Sequence, residues 1–286
     1  MNVFSQPSYD QMEEQITILR EIAGKMGMVD TIASWEDVQA VVRRGQAERY
    51  FAVGDVLMAT YKGVPANYVV IGIDHDTPAD GSMTYSMTLQ ALDCLDNVQL
   101  DAPEPTNPDA NRQEYGNNRY IHSAIRQWLN SDEDTFQWVS QHEYDEPPTG
   151  SIYEGPGFLK LLDPELVTVI GAVDKQVSKN TVTDGGGQDT FSDKVFLLSR
   201  VEVYGGAEGD TTGENPYPYY SALASSPTTD ALAGRIKLLG SSPRTWWLRS
   251  PVVGYSTHSR GVYTTGAVGH YSARGALGAS PACCII

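Results

Sequence analysis

Apolar side chains recur at helical spacing between residues 9 and 28, with Ile16, Leu19, Ile22, Ala23 and Met26 on one stripe. Ser34 then stands where a helix cap is expected. Asp37 follows three positions on, Val38, Val41 and Val42 renew the stripe, and Gly45 ends it. Two short helices with such narrow apolar faces cannot bury themselves. They need the rest of the chain, a sister subunit or a larger assembly.

From Arg49 the period changes. RYFAVGDVLMATY, NYVVIGIDHD and SMTYSMTLQAL read as three strands separated by Gly, Pro and Asp turns. DAPEPTNPDANRQ is expected to be a loop. NNRYIHSAIRQWLNSD predicts a short helix with Ile121, Ile125, Trp128 and Leu129 inward, and residues 163–170 predict another, Pro164 taking its first position. TDGGGQDTFSD reads as a flexible acidic loop, KVFLLSRVEVYG as a buried strand, and ENPYPYYSALASSP as irregular. After RIKLLG the Gly punctuation is that of short strands and turns. The sum is an α+β chain with few small helices, many short strands and long loops. Loops of this length usually serve a function.

Composition narrows the choice of partner. The chain has 286 residues, 20 of them basic and 36 acidic, for a net charge of −16. That charge repels phosphate backbones and anionic lipid, so neither nucleic acid nor a membrane surface is an expected partner. No apolar run is long enough to span a bilayer. MNVFSQPSYD lacks the basic and apolar regions of a secretory signal, so synthesis in the cytoplasm is expected. Cys94, Cys283 and Cys284 form neither a disulfide framework nor a metal-ligand spacing and are expected reduced and buried.

The segment 252–278 departs from the rest of the chain. Asp, Glu, Lys, Asn and Gln make up 66 of the 286 residues, so about six should fall here, and none does. In their place stand Gly, Val, Tyr, Ser, Thr, Ala, His, Arg and one Leu. Tyrosine gives a large, rigid contact at low entropic cost, Ser and Gly adapt, and Lys and Glu are depleted from contact cores. Tyr255, Ser256, Thr257, His258, Ser259, Arg260, Tyr263, His270, Tyr271, Ser272 and Arg274 are the candidate ligand-binding residues. Composition allows equally a Gly-rich core hairpin whose tyrosines pack inward.

Catalytic patterns are missing. His75, His122, His142, His258 and His270 are scattered, and none sits in an HExxH arrangement. GxSxG and GxxxxGK[ST] are absent, and GGG at 185–187 lacks the Lys and the flanking strand of a phosphate loop. No catalytic residue is assigned and no enzyme activity is expected. Asp74, Asp76 and Asp80, with Asp184 and Asp189, offer oxygen ligands of the kind calcium takes. Acidic loops are also ordinary solvated surface at this net charge, so no cofactor or metal site is assigned.

WWLRSP at 246–251, followed by a Gly-punctuated tail ending in GASPAC, resembles a family of Firmicutes and phage proteins that carry the domain of unknown function DUF6273. NNRYIHSAIRQWLNS, KVFLLSRVEVYGG and SWEDVQAVVRRG are similar to the same family. The resemblance implies a C-type-lectin-like fold, shared with the formylglycine-generating enzyme and with variable proteins of diversity-generating retroelements. It implies that Trp246, Trp247, Leu248, Arg249 and Pro251 are framework. In the variable proteins the stretch after this motif is rewritten at template adenines. Rewriting AAC or AAT codons cannot give Lys, Glu, Gln, Met or Trp, and 252–278 contains none of these. The cysteine pair of the formylglycine-generating relatives has no counterpart, since Cys283 and Cys284 are adjacent and Cys94 is remote.

The expectation is therefore a phage or prophage virion protein. Residues 1–46 would form a helical N-terminal arm for docking or self-association, and residues 47–286 a ligand-binding domain with its recognition surface at 252–278. Its partners would be a host-surface protein or glycan and other virion proteins. A carbohydrate-binding module of fixed specificity, or a structural decoration protein of the virion, are the alternatives.

Overall fold

The computed structural model describes residues 32–138, 141–150, 152–224 and 228–286. The helix expected over residues 9–28 lies outside them. Within them the chain is mixed α and β, with most strands in curled antiparallel sheets and few, short helices.

The first described helix, α1 (Trp35–Arg43), starts where the sequence predicts. The Ser34 hydroxyl accepts from the Asp37 amide, and the Asp37 carboxylate accepts from the Ser34 amide, so two orphan donors are satisfied reciprocally. Its Trp35, Val38, Val41 and Val42 are buried. Gln39 and Arg43 donate to the main-chain oxygen of Ile286 at 2.8 and 3.1 Å. Of the three supports open to this helix, it uses the rest of its own chain. The boundary drawn between residues 46 and 47 therefore does not separate α1 from the domain.

A six-stranded sheet follows from β1 (Val56–Tyr61), β2 (Val64–Ile73) and β3 (Met87–Ala91), and is completed from the far end of the chain. β15 (Ala282–Ile285) pairs with β3 on one side, and on the other with β5 (Ile170–Gly171) and β8 (Val195–Phe196). All four residues of β15 are buried, because the sheet is covered on both faces. A second, five-stranded sheet has the order β13 (Val268–Ser272), β12 (His258–Val262), β11 (Trp246–Pro251), β14 (Ala276–Ala279) and β4 (Asp96–Gln99). Two hairpins, β6 (Val173–Ser178) with β7 (Gln188–Asp193) and β9 (Lys237–Leu239) with β10 (Ser242–Arg244), flank the sheets.

Several segments depart from the sequence reading. KVFLLSRVEVYG is strand only at β8. After Ser199 it becomes the helix α6 (Arg200–Tyr204), where Ser199 and Glu202 close a capping box that outweighs the β-branched residues. TDGGGQDTFSD is loop only in its first half; the second half is β7, zipped to β6 over six residue pairs. The stretches expected to be irregular begin α2 (Ala110–Tyr115) and contain α7 (Pro218–Ala224). Asp109 caps α2 by accepting from the Arg112 amide at 2.9 Å. The segment 117–132 folds as two short turns of helix, the second being α3 (Ala124–Leu129). There Ile125, Trp128 and Leu129 are fully buried and Ile121 half-buried.

Candidate functional site

All six residues of β11 are buried. The indole nitrogens of Trp246 and Trp247 donate to the carbonyls of Arg235 and Val98 at 3.0 and 2.9 Å, which satisfies the polar edge of each buried ring. Arg249 is fully buried. It donates to the Gln176 and Leu197 carbonyls and makes a bidentate pair with Glu202. Glu202 also accepts from Lys175 at 2.9 Å, and Lys175 pairs with Asp76. The neighbouring cations overcome burial and hold the Glu202 carboxyl down at about 2. This ionic chain ties β11 to β6 and α6, and so fixes the base from which the tail departs.

After Pro251 the chain turns, and β12 and β13 form a hairpin at the free side of the second sheet, β13 being its edge. Alternation along the strands divides the hairpin into two aromatic groups. Tyr255 lies 5.0 Å from His258 and 6.0 Å from His270, ring centre to ring centre, with the two imidazoles 5.4 Å apart. Tyr263 meets Tyr271 edge to face at 5.8 Å. Tyr255 is 50% exposed and Tyr271 38%; His270 and Arg274 are exposed, and His258, Tyr263 and Ser272 half-buried. The tip is pinned from below, since Tyr204 donates to the Gly266 carbonyl at 2.6 Å. Gly266 itself has φ +80°, and a β-carbon there would collide with the Leu232 main chain.

Four candidates leave the displayed set. Ser256, Thr257 and Ser259 are buried. Ser256 donates to Asp109, and its carbonyl accepts from Arg112 at 3.2 Å, so this part of the turn is bonded to α2. Ser259 is fully buried, although its side chain lies on the hairpin face that it shares with its register partner Tyr271. Arg260 forms a bidentate pair with Glu208, so its charge is neutralised within the fold. Arg274 stacks over Tyr115 at 4.7 Å and donates to the Glu114 carbonyl, leaving part of its guanidinium to solvent.

Beside the turn lies a cleft of about 550 Å³ that the linear sequence did not reveal. Glu104, Asp109, Asp145, Asp184, Arg112 and Arg119 are among its lining residues. Its Arg112 pairs with Asp184 in the same lining, and its Arg119 with Asp189 outside it, both at 2.8 Å. His122 and His142, both in its lining, stack face to face, 3.5 Å between ring centres. Burial, then repulsion from His142, lowers the His122 imidazole to about 3. Burial raises Glu104 to about 6 against the opposing hydrogen bonds from Asn117 and Asn107. The two histidines are twenty positions apart in sequence, so only the tertiary fold brings them together.

The acidic loops spend their carboxylates internally. Asp76 is buried against Lys175, Thr88 and Tyr217; Asp74 accepts from the Ser86 amide and Asp80 from the Ser82 amide. Asp184 and Asp189 face arginines. Among the described residues no group of three His, Cys, Asp or Glu side chains is arranged to hold a metal ion. The three cysteines are buried and free, and burial pushes the Cys94 and Cys283 thiols up to about 12.

Fold and surface together define an α+β domain of curled antiparallel sheets that carries an exposed aromatic hairpin on a buried Trp-Trp-Leu-Arg strand. Residues 91–286 match the family described as Domain of unknown function (DUF6273), and the chain belongs to that family. No curated protein and no solved structure matches it significantly.

Proposed function

We propose that this chain is a phage- or prophage-encoded binding protein of C-type-lectin-like fold, carried on the virion. Its recognition surface would be the hairpin formed by β12 and β13, with the preceding turn. The observation that carries the reading is the outward position of Tyr255 and Tyr271 above a base that is buried and ion-paired. Rigid aromatic groups on a stiff scaffold can change identity without unfolding it, which is what a diversified surface requires. The contact set is Tyr255, His258, Tyr263, His270, Tyr271, Ser272 and Arg274. A host-surface protein or glycan is the proposed target.

The test is binding of wild type and Tyr255→Ala/Tyr271→Ala to a glycan array and to candidate host cells, with melting curves in parallel. A ligand lost from the double variant at unchanged stability supports the reading. A ligand held equally by both variants overturns it.

A second reading, a carbohydrate-binding module of fixed specificity, is favoured by the polar cleft at His122 and His142. Substitution of His122 and His142 would then abolish binding while the tyrosine variant retained it.

A further inference from the structure

The turn that carries Tyr255 is held by residues far from it in sequence, and held almost wholly by its main chain. Asn118 is fully buried. Its side-chain amide donates to the carbonyls of Tyr255 and His258 at 2.8 and 2.9 Å, and its main-chain amide to that of Ser256 at 3.3 Å. Carbonyl oxygens only accept, so the Asn118 side-chain nitrogen faces them and its oxygen is left to accept from Asn180 at 2.8 Å. Asn180, also fully buried, gives its other amide hydrogen to Asp184 at 2.6 Å. Asp184 pairs with Arg112, whose Nε returns to the Ser256 carbonyl at 3.2 Å. The chain of bonds closes on the turn where it began, and such a satisfied buried network is stiff. Thr181 adds a second hold, donating through its amide and hydroxyl to the Val253 carbonyl at 2.9 and 3.1 Å.

Every residue type presents the same carbonyl, so these bonds read no side chain. Among the described residues, one hydrogen bond from outside the tail reaches a side chain of 252–258, that between Ser256 and Asp109. The rings of Tyr255 and His258 meet each other and His270, all within the displayed set. Ser256 is therefore tied by its own hydroxyl, whereas Tyr255 and His258 are tied only by groups that any replacement short of proline would keep.

We propose that Asn118 is the positioning residue of this turn, fixing its path whatever side chains stand at 255 and 258. Tyr255 and His258 are then the exchangeable positions that determine specificity, and Ser256 belongs to the scaffold. The assignment of specificity rests on the turn being part of the recognition surface; the clamp itself does not.

Hydrogen exchange of single amides in the full chain, without any ligand, tests it, so that failure of the clamp and failure to find a binding target are separate results. The reporters are the Tyr255 amide, bonded to the Val252 carbonyl, and the Val252 amide, bonded to the His258 carbonyl. In Tyr255→Ala/His258→Ala their protection should stay within about threefold of wild type. Asn118→Asp, which sets an oxygen among the carbonyls, should lower it at least about tenfold while β3 and β15 keep theirs. Arg112→Gln, which removes the bond from α2 to Ser256, should give the same local loss in smaller degree. A residue that merely stabilised the fold would lower protection in the sheets as well, and such a loss in both the Asn118 and the Arg112 variants overturns the proposal. It is overturned too if the turn keeps its wild-type protection in both, or loosens as much in Tyr255→Ala/His258→Ala as in Asn118→Asp.

Discussion

Arg249 and Glu202 face one another through two hydrogen bonds, of 2.5 and 2.9 Å, with the arginine side chain wholly excluded from solvent and the glutamate nearly so. Two charges in such a place are tolerable only as a pair, and Lys175, Asp76 and Glu214 extend the compensation.

Breaking that pair on one side strands a charge. Glu202→Gln should cost about 3–5 kcal/mol of stability at pH 7 by urea unfolding. Replacing both partners by apolar residues of similar size should cost less than either single change. The folded Glu202 carboxyl sits at about 2, below its ordinary 4.5, so its contribution is present above 4.5 and lost as pH falls towards 2. The difference between wild type and Glu202→Gln should shrink over that window.

Glu104 has the opposite sign. Its folded value of about 6 lies above 4.5, so its contribution is full below 4.5 and is lost as pH rises through 6. Unfolding midpoints of Glu104→Gln compared with wild type between pH 7 and 4.5 should show wild type gaining on the variant as pH falls. A constant difference across that range would show that Glu104 titrates as it does in the unfolded chain.

The two kinds of aromatic residue in the tail should respond differently to truncation. Trp247→Ala opens a buried site and should cost about 3–5 kcal/mol. Tyr255→Ala and Tyr271→Ala, at exposed positions, should each stay within about 0.5 kcal/mol. Equal losses in melting temperature would contradict the division between base and display.

The last strand lies inside the first sheet, not at its edge. β15 lies between β3 and the β5–β8 side of the first sheet, and Ile286 bonds to Gln39 and Arg43 of α1. A chain lacking residues 282–286 should show no cooperative unfolding transition by circular dichroism. These pairings span most of the sequence, so folding should also be slow, for the loop entropy is lost before the contacts form.

Local patterns were enough to locate some elements from sequence. The Ser34 cap, the Asp163–Pro164 helix start, the inward face of Trp128 and Leu129, and the short strands after residue 245 all follow from side chains acting on their near neighbours. The absence of acidic residues and lysine from 252–278 marked a segment that is chemically distinct. Tertiary structure alone decided the rest. Periodicity cannot tell which hydroxyl in a Tyr-Ser-Thr-His-Ser run turns inward, because Asp109 and Arg112, which hold Ser256, come from a helix some 150 residues away. It cannot place Glu208 against Arg260, stack His122 on His142, or bring the last strand beside the third. Such choices depend on which distant surface arrives at each side chain, and that is fixed only when the sheets close.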